Sequence, residues 1–164
     1  MKRVRIVVLA LGAVVALVAL AGCGSSKTHG EEGTFTLTEP GGNSGTFGVI
    51  GKATKKGIEP GNGFAFSSPL ENSAGKTVGE INVACIATQP SEGENLAGTC
   101  TATATVPGGG FALNAGGKEI GNNVTGAIVG GTGKYNGAVG TFSSKSSSGS
   151  ENSPSTLTFN YILP

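Results

Sequence analysis

The chain has 164 residues, 30 of them Gly, and a formal net charge of +1. That length suits one domain, and so balanced a charge gives no electrostatic footprint for a nucleic-acid partner. There is no Asp, the only His is His29, and both Arg residues, Arg3 and Arg5, lie at the N-terminus. A His-based triad, a His-ligated zinc site and an Arg phosphate clamp therefore lack their parts, so no metal and no cofactor is expected.

Lys2, Arg3 and Arg5 form a positive n-region ahead of the apolar run Ile6 to Ala21. At about 1.5 Å per residue the run reaches roughly 24 Å, short of the ~30 Å hydrocarbon core. It reads as a signal-peptide h-region rather than a membrane span. Leu20-Ala21-Gly22-Cys23 follows directly and resembles the lipobox of bacterial lipoproteins. That resemblance implies diacylglyceryl transfer to the Cys23 thiol, cleavage before it, palmitate-type acylation and an anchor in the bilayer. Two or more acyl chains hold a protein on a membrane stably. The alternative is an ordinary secretory signal with an unrelated Cys. The expected divisions are a signal peptide over 1–22, a lipidated Cys and polar tether over 23–33, and a β-domain over 34–164. The location is then the cell envelope, outside the cytoplasm. The mature chain sets eight Lys against ten Glu. His29 falls in the tether and reads as solvated.

From Thr34 onward the pattern has period two, the signature of half-buried strands. Phe35 and Leu37 alternate with Thr34, Thr36 and Thr38. Ile81, Val83, Cys85 and Ala87 share one face, as do Cys100, Ala102, Ala104 and Val106. The last run puts Leu157, Phe159, Tyr161 and Leu163 on one side. Gly/Pro clusters at 40–43, 59–63, 107–110 and 130–133 separate these runs and mark turns. The pattern predicts seven to nine short strands and no long helix, in a sandwich or a closed barrel. Ser143 to Ser155 is Ser-rich and reads as a loop before the last strand.

Cys85 and Cys100 flank a polar loop, Gln89 to Asn95, about which a hairpin brings the two positions opposite each other on the apolar face. In an exported protein, pairing is the default. The alternatives are two small buried thiols, or a functional thiol that lacks any neighbouring His, Arg or helix N-terminus to activate it. Gly131-Thr132-Gly133-Lys134-Tyr135 fails the phosphate-loop pattern at Ile128 and Tyr135, and the dinucleotide pattern at Asn136. It reads as a turn.

A longer constellation resembles a known superfamily. Gly63-Phe64-Ala65-Phe66-Ser67-Ser68-Pro69-Leu70 precedes Gly75-Lys76-Thr77-Val78-Gly79 and Val83-Ala84-Cys85. Val106 to Leu113 and then Ala127 to Gly140, with Gly130-Gly131-Thr132-Gly133-Lys134-Tyr135-Asn136-Gly137, complete it. In order and spacing this is similar to the allene oxide cyclase and dirigent barrels. The resemblance implies an all-β, eight-stranded antiparallel barrel, often a homotrimer, with an apolar axial pocket. Phe35, Leu37, Phe66, Cys85 and Phe111 are the expected pocket lining. The acidic and Asn positions of the cyclase pattern fall at Thr36 and Thr38, its pocket Asn at Ser68, its pocket Tyr near Lys118, and its pocket Cys at Cys85. The Asp that ends the first dirigent strand corresponds to Glu39. Glu39 is thus the first acid–base candidate, ahead of Glu80 and Glu119. The resulting expectation is a lipid-anchored module that binds a small apolar ligand or serves structurally without chemistry. The alternative is an isomerase, cyclase or stereo-directing protein for a small apolar or phenolic substrate.

Overall fold

The computed structural model describes residues 30–41, 44–54, 57–90, 96–120, 123–148 and 153–164. The expected signal peptide, Cys23 and His29 lie outside the described residues. Eight strands close into an antiparallel barrel. They are β1 (Glu31–Glu39), β5 (Gly63–Glu71), β6 (Thr77–Ala87), β7 (Leu96–Val106), β8 (Gly109–Ile120), β9 (Asn123–Gly133), β10 (Val139–Ser146) and β11 (Ser155–Leu163). From β5 to β11 each strand pairs with the next in sequence, and β1 lies between β11 and β5. Short turns join most of these strands, as expected of an up-and-down barrel, and closure leaves few free edges.

Closure on the β5 side is narrow. β1 meets β5 at Thr38 opposite Glu71, and a second strand, β2 (Thr46–Ile50), takes the rest of that β5 edge from Thr46↔Ser67 to Ile50↔Gly63. β1 and β2 are therefore successive pieces of one line, interrupted at residues 40–45. Two short strands, β3 (Ala53–Thr54) and β4 (Gly57–Ile58), form a separate hairpin. The barrel strands are longer than the sequence pattern suggests, at 8 to 12 residues.

Two boundaries differ from the sequence expectation. β1 begins at Glu31, because Glu31, Glu32 and Gly33 pair with Leu163, Ile162 and Tyr161. A side chain at Gly33 would collide with the Tyr161 ring, so the glycine lets that ring lie against the backbone. Ser143–Ser146 belongs to β10 rather than to a loop, because its partners on β9 and β11 continue through Lys145 and Ser146.

The alternation expected from the sequence is the wall of the barrel. Leu37, Leu70, Ile81, Ala104, Leu113, Ile128, Leu157 and Phe159 point inward and are buried. Threonines take the outer face, where Thr34 Oγ1 donates to Asn160 at 2.9 Å. Cys85 and Cys100 are register partners with Cα atoms 4.0 Å apart and form a disulfide. They pack with Ala87 and Leu96 in a second apolar cluster, against Ile58, Phe64 and Ile120.

Candidate functional site

The aromatic residues divide the lumen. Of the seven Phe and two Tyr, five form one block: Phe35, Phe111, Tyr135, Phe159 and Tyr161. Phe35 stacks on Phe159 at 4.9 Å, Phe111 approaches Tyr135 at 4.4 Å, and Tyr135 meets Tyr161 edge-on at 5.3 Å. These are the separations of favourable ring pairs. Phe159 and Tyr135 are 0% and 3% exposed, so this end of the barrel is filled with side chains.

Tyr135 closes that end because of the glycine-rich segment before it. Gly133 has φ +61°, and the Tyr135 amide donates to the Thr132 carbonyl. A Cβ at Gly131 would sit 2.1 Å from the Tyr135 carbonyl oxygen. The tight turn therefore needs glycine and aims the ring inward. The Tyr135 hydroxyl donates to the Pro107 carbonyl at 3.4 Å, and Lys134 Nζ lies 4.8 Å from the ring centroid. The segment is a structural plug.

The opposite end differs. Phe64 and Phe66 share the inward face of β5 with buried Ser68 and Leu70. Their β2 partners are Val49 and Phe47, which have the same facing. Yet Phe47 is 67% exposed and Val49 52%. Phe47, Phe64 and Phe66 form a row with centroid separations of 5.9 and 6.3 Å. Among the described residues β2 pairs with β5 alone, so this part of the wall has an unpaired edge; Phe47 and Val49 stand open, Phe66 is half-buried, and Phe64 packs against the disulfide cluster. We call this end the mouth.

Glu39 lies between the filled block and the mouth. It follows Phe35 and Leu37 on the inward face of β1, opposite Ser155. Ser68 donates a hydrogen bond to its carboxylate. Burial raises the Glu39 pKa above its ordinary value, and the Ser68 bond offsets this only in part. Ser68 itself is 5% exposed. Glu31 shares the facing of Glu39 but is exposed at the far end of β1, and the described lysines are exposed. Glu39 is thus the one charged side chain, among those described, that the barrel draws inward from solvent.

The other sequence candidates separate. Phe35, Leu37 and Phe111 belong to the packed core, where their rings and methyls already fill the space. Phe66 belongs to the mouth, and Cys85 is committed to the disulfide. Glu80 is exposed on the outer face, because Gly79 and Ile81 take the inward positions of β6. Thr36 faces outward against Thr158, and Lys118 is exposed, so neither lines the lumen. The side chain of Glu119 lies outside the described residues. Sequence reasoning did not single out Phe47. Its segment is five residues flanked by glycines, with an alternation that ends at Ile50, and only the pairing with Phe66 reveals its facing. No group of three or more His, Cys, Asp or Glu able to hold a metal occurs among the described residues.

The architecture is that of the dirigent and cyclase barrels. A pyocyanin demethylase superposes with a TM-score of 0.60 and 23% identity, over 76% of this chain and 97% of that one. The pterocarpan synthase dirigent protein GePTS1 gives 0.57 and 16%, over 80% and 83%. The Diels Alderase AbmU from Streptomyces koyangensis gives 0.56 and 16%, over 84% and 72%. At these identities the likeness is one of fold. No protein-family model matches the chain, and no curated protein matches its sequence.

Proposed function

We propose that this chain is an envelope lipoprotein whose barrel binds a small apolar ligand at the mouth, between the Phe47–Phe64–Phe66 row and the Glu39–Ser68 pair. The observation that carries the reading is Phe47. A large apolar side chain on the inward face of a closed barrel is buried unless the lumen opens beside it, and Phe47 is 67% exposed. Apolar walls with a few placed polar groups are the usual form of a small-molecule site. The filled block around Phe159 sets the depth and confines the ligand to the mouth. Acylation of Cys23 would hold the barrel at the bilayer and present that mouth to the extracytoplasmic space.

Titration with the neutral fluorophore N-phenyl-1-naphthylamine tests the site. Saturable binding that Phe66→Ala weakens, with little change in melting temperature, supports it. Absence of saturable binding overturns it. Radiolabelled palmitate incorporated in a bacterial host and lost in Cys23→Ser tests the anchor, and native mass spectrometry of the delipidated domain tests the homotrimer.

A second reading follows from the raised pKa of Glu39. A carboxyl that keeps its proton above the usual range can exchange it with a bound carbon acid, which is the requirement for an isomerase or cyclase. Here Glu39 would accept a proton from one carbon of the substrate and return it to another, with no net change in composition. Solvent deuterium uptake into 2-tetralone, present with the wild type and absent with Glu39→Gln, would support this reading. Equal uptake with both proteins would remove it.

A further inference from the structure

We propose that the preferred ligand of the mouth is a flat aromatic cation, held by stacking on Phe64 and Phe66 and by an ion pair with Glu39; this rests on the binding site proposed above. The inference comes from the charge inventory of the lumen. The described lysines are all exposed, at Lys52, Lys76, Lys118, Lys134 and Lys145. The chain has no Arg beyond Arg5. No described cation of the protein therefore faces Glu39.

Two elements pack against the end of β1. From β5 the inward neighbours are Ser68 and Leu70, and from β11 they are Ser155 and Leu157. None of these side chains is charged at any ordinary pH. The nearest carboxylate along the seam, Glu71, is paired at Thr38 and faces outward with it. Ser68 supplies a hydrogen bond but no charge. An anionic carboxylate left in this position has its hydrogen bond and, among the described residues, lacks a counter-ion.

The rings beside it add to the same preference. Phe64 and Phe66 are nearly parallel, at 22°, and follow one another along the inward face of β5 toward Ser68. Aromatic faces carry negative quadrupole density and attract cations. A flat ligand with delocalised positive charge can lie against the row while its charge approaches the carboxylate. A neutral ligand gains the stacking alone. An anion meets the field of Glu39 and of the ring faces together.

Proton release balances the binding. When Glu39 is protonated, a cation must displace the proton to solvent, so affinity for a permanent cation rises with pH through the titration of Glu39. Burial places that titration above the usual carboxylate range.

The test compares N-methylacridinium with its neutral isostere 9-methylanthracene by fluorescence titration across acid to mildly alkaline pH. The cation is expected to bind about tenfold more tightly at the alkaline end, with the preference shrinking as Glu39 protonates. Glu39→Gln should abolish both the preference and its pH dependence, with an unchanged far-ultraviolet circular dichroism spectrum and a cooperative melt reporting that the variant is folded. Ser68→Ala, which keeps the charge and removes the hydrogen bond, should move the pH dependence upward. Equal affinity for the two probes overturns this inference and leaves the binding site standing. A cation preference that survives Glu39→Gln also overturns it. Failure of both probes to bind overturns the site itself.

Discussion

Ser68 on β5 donates a hydrogen bond to the Glu39 carboxylate on β1, across the narrow seam where β1 meets β5. The bond joins residues 29 positions apart in the sequence. It sits where β1 gives way to β2 along the β5 edge, so closure of the barrel and placement of its inward charge occur at the same point.

The first prediction is a pH dependence of stability. The folded Glu39 holds its proton more tightly than the free carboxyl, whose ordinary value is 4.5. The sign follows from linkage. Below that value both states are protonated and no penalty exists. As pH rises from that value through the folded pKa, the unfolded chain releases its proton first and the folded protein must come to hold a costly buried charge, so stability falls relative to a protein without it. Glu39→Gln should therefore melt higher than the wild type at neutral pH, with the gain vanishing in acid. A series of melting curves across that range checks this. A variant less stable than wild type at neutral pH would show that the carboxylate is favourably held.

A second prediction concerns the disulfide. Cys85 and Cys100 close a loop with a separation of 15 residues. Chain-entropy arguments give about 3 kcal/mol for such a loop. Replacing both with Ala also removes two sulfurs from the cluster of Ala87 and Leu96. The double variant should melt lower by roughly 10 °C. Its mouth should keep most of its probe affinity, because β2–β5 pairing holds Phe47, Phe64 and Phe66 in place although Phe64 loses its packing against the sulfurs. Loss of probe binding in a folded double variant would place the disulfide in the site.

The barrel was largely legible in the sequence, because strand facing is a local property. Leu37, Ile81, Cys85, Leu157 and Phe159 announce their side by alternation, and the near-equal spacing of Cys85 and Cys100 about the polar sequence Gln89 to Asn95 anticipates the register that opposes them. What escaped depends on which neighbour a segment finds. The break at residues 40–45 reads as an ordinary turn, and nothing local says that β2 continues along β5. Ser143–Ser146 has the composition of a loop, and it is a strand only because β9 and β11 supply partners on both sides. Tyr135 stands outside any alternating run, immediately after a turn, so its place in the aromatic block is invisible until the turn is folded. Glu39 was found by resemblance. Its environment is set by Ser68 and by burial, and neither has a sequence signature.

The glycine-rich segment gives a third prediction. If Gly131-Thr132-Gly133-Lys134-Tyr135 is a plug, its glycines serve backbone approach alone. A Cβ at Gly131 would lie 2.1 Å from the Tyr135 carbonyl oxygen, and no side-chain rotation relieves a contact with backbone. Gly131→Ala should cost roughly 1–3 kcal/mol as strain in a packed region. Denaturant unfolding measures it. A neutral result would mean that the turn shifts freely and that Tyr135 is not fixed by it.

The last prediction separates the two halves of the lumen by paired substitutions. Phe159 is 0% exposed and lies 4.9 Å from Phe35 and 5.4 Å from Phe111. Phe159→Ala removes a ring from a closed block, and burial loss plus the residual cavity should cost about 3–5 kcal/mol. Phe47 stands 67% exposed, so Phe47→Ala forfeits little buried area and should leave stability within about 0.5 kcal/mol. For ligand affinity the order reverses: Phe47→Ala should weaken binding of an apolar probe, whereas Phe159→Ala, while folded, should not. Both variants need only urea unfolding and one fluorescence titration each. If Phe159→Ala binds probe more weakly and Phe47→Ala does not, the ligand occupies the aromatic block and the open row at the mouth is not its site.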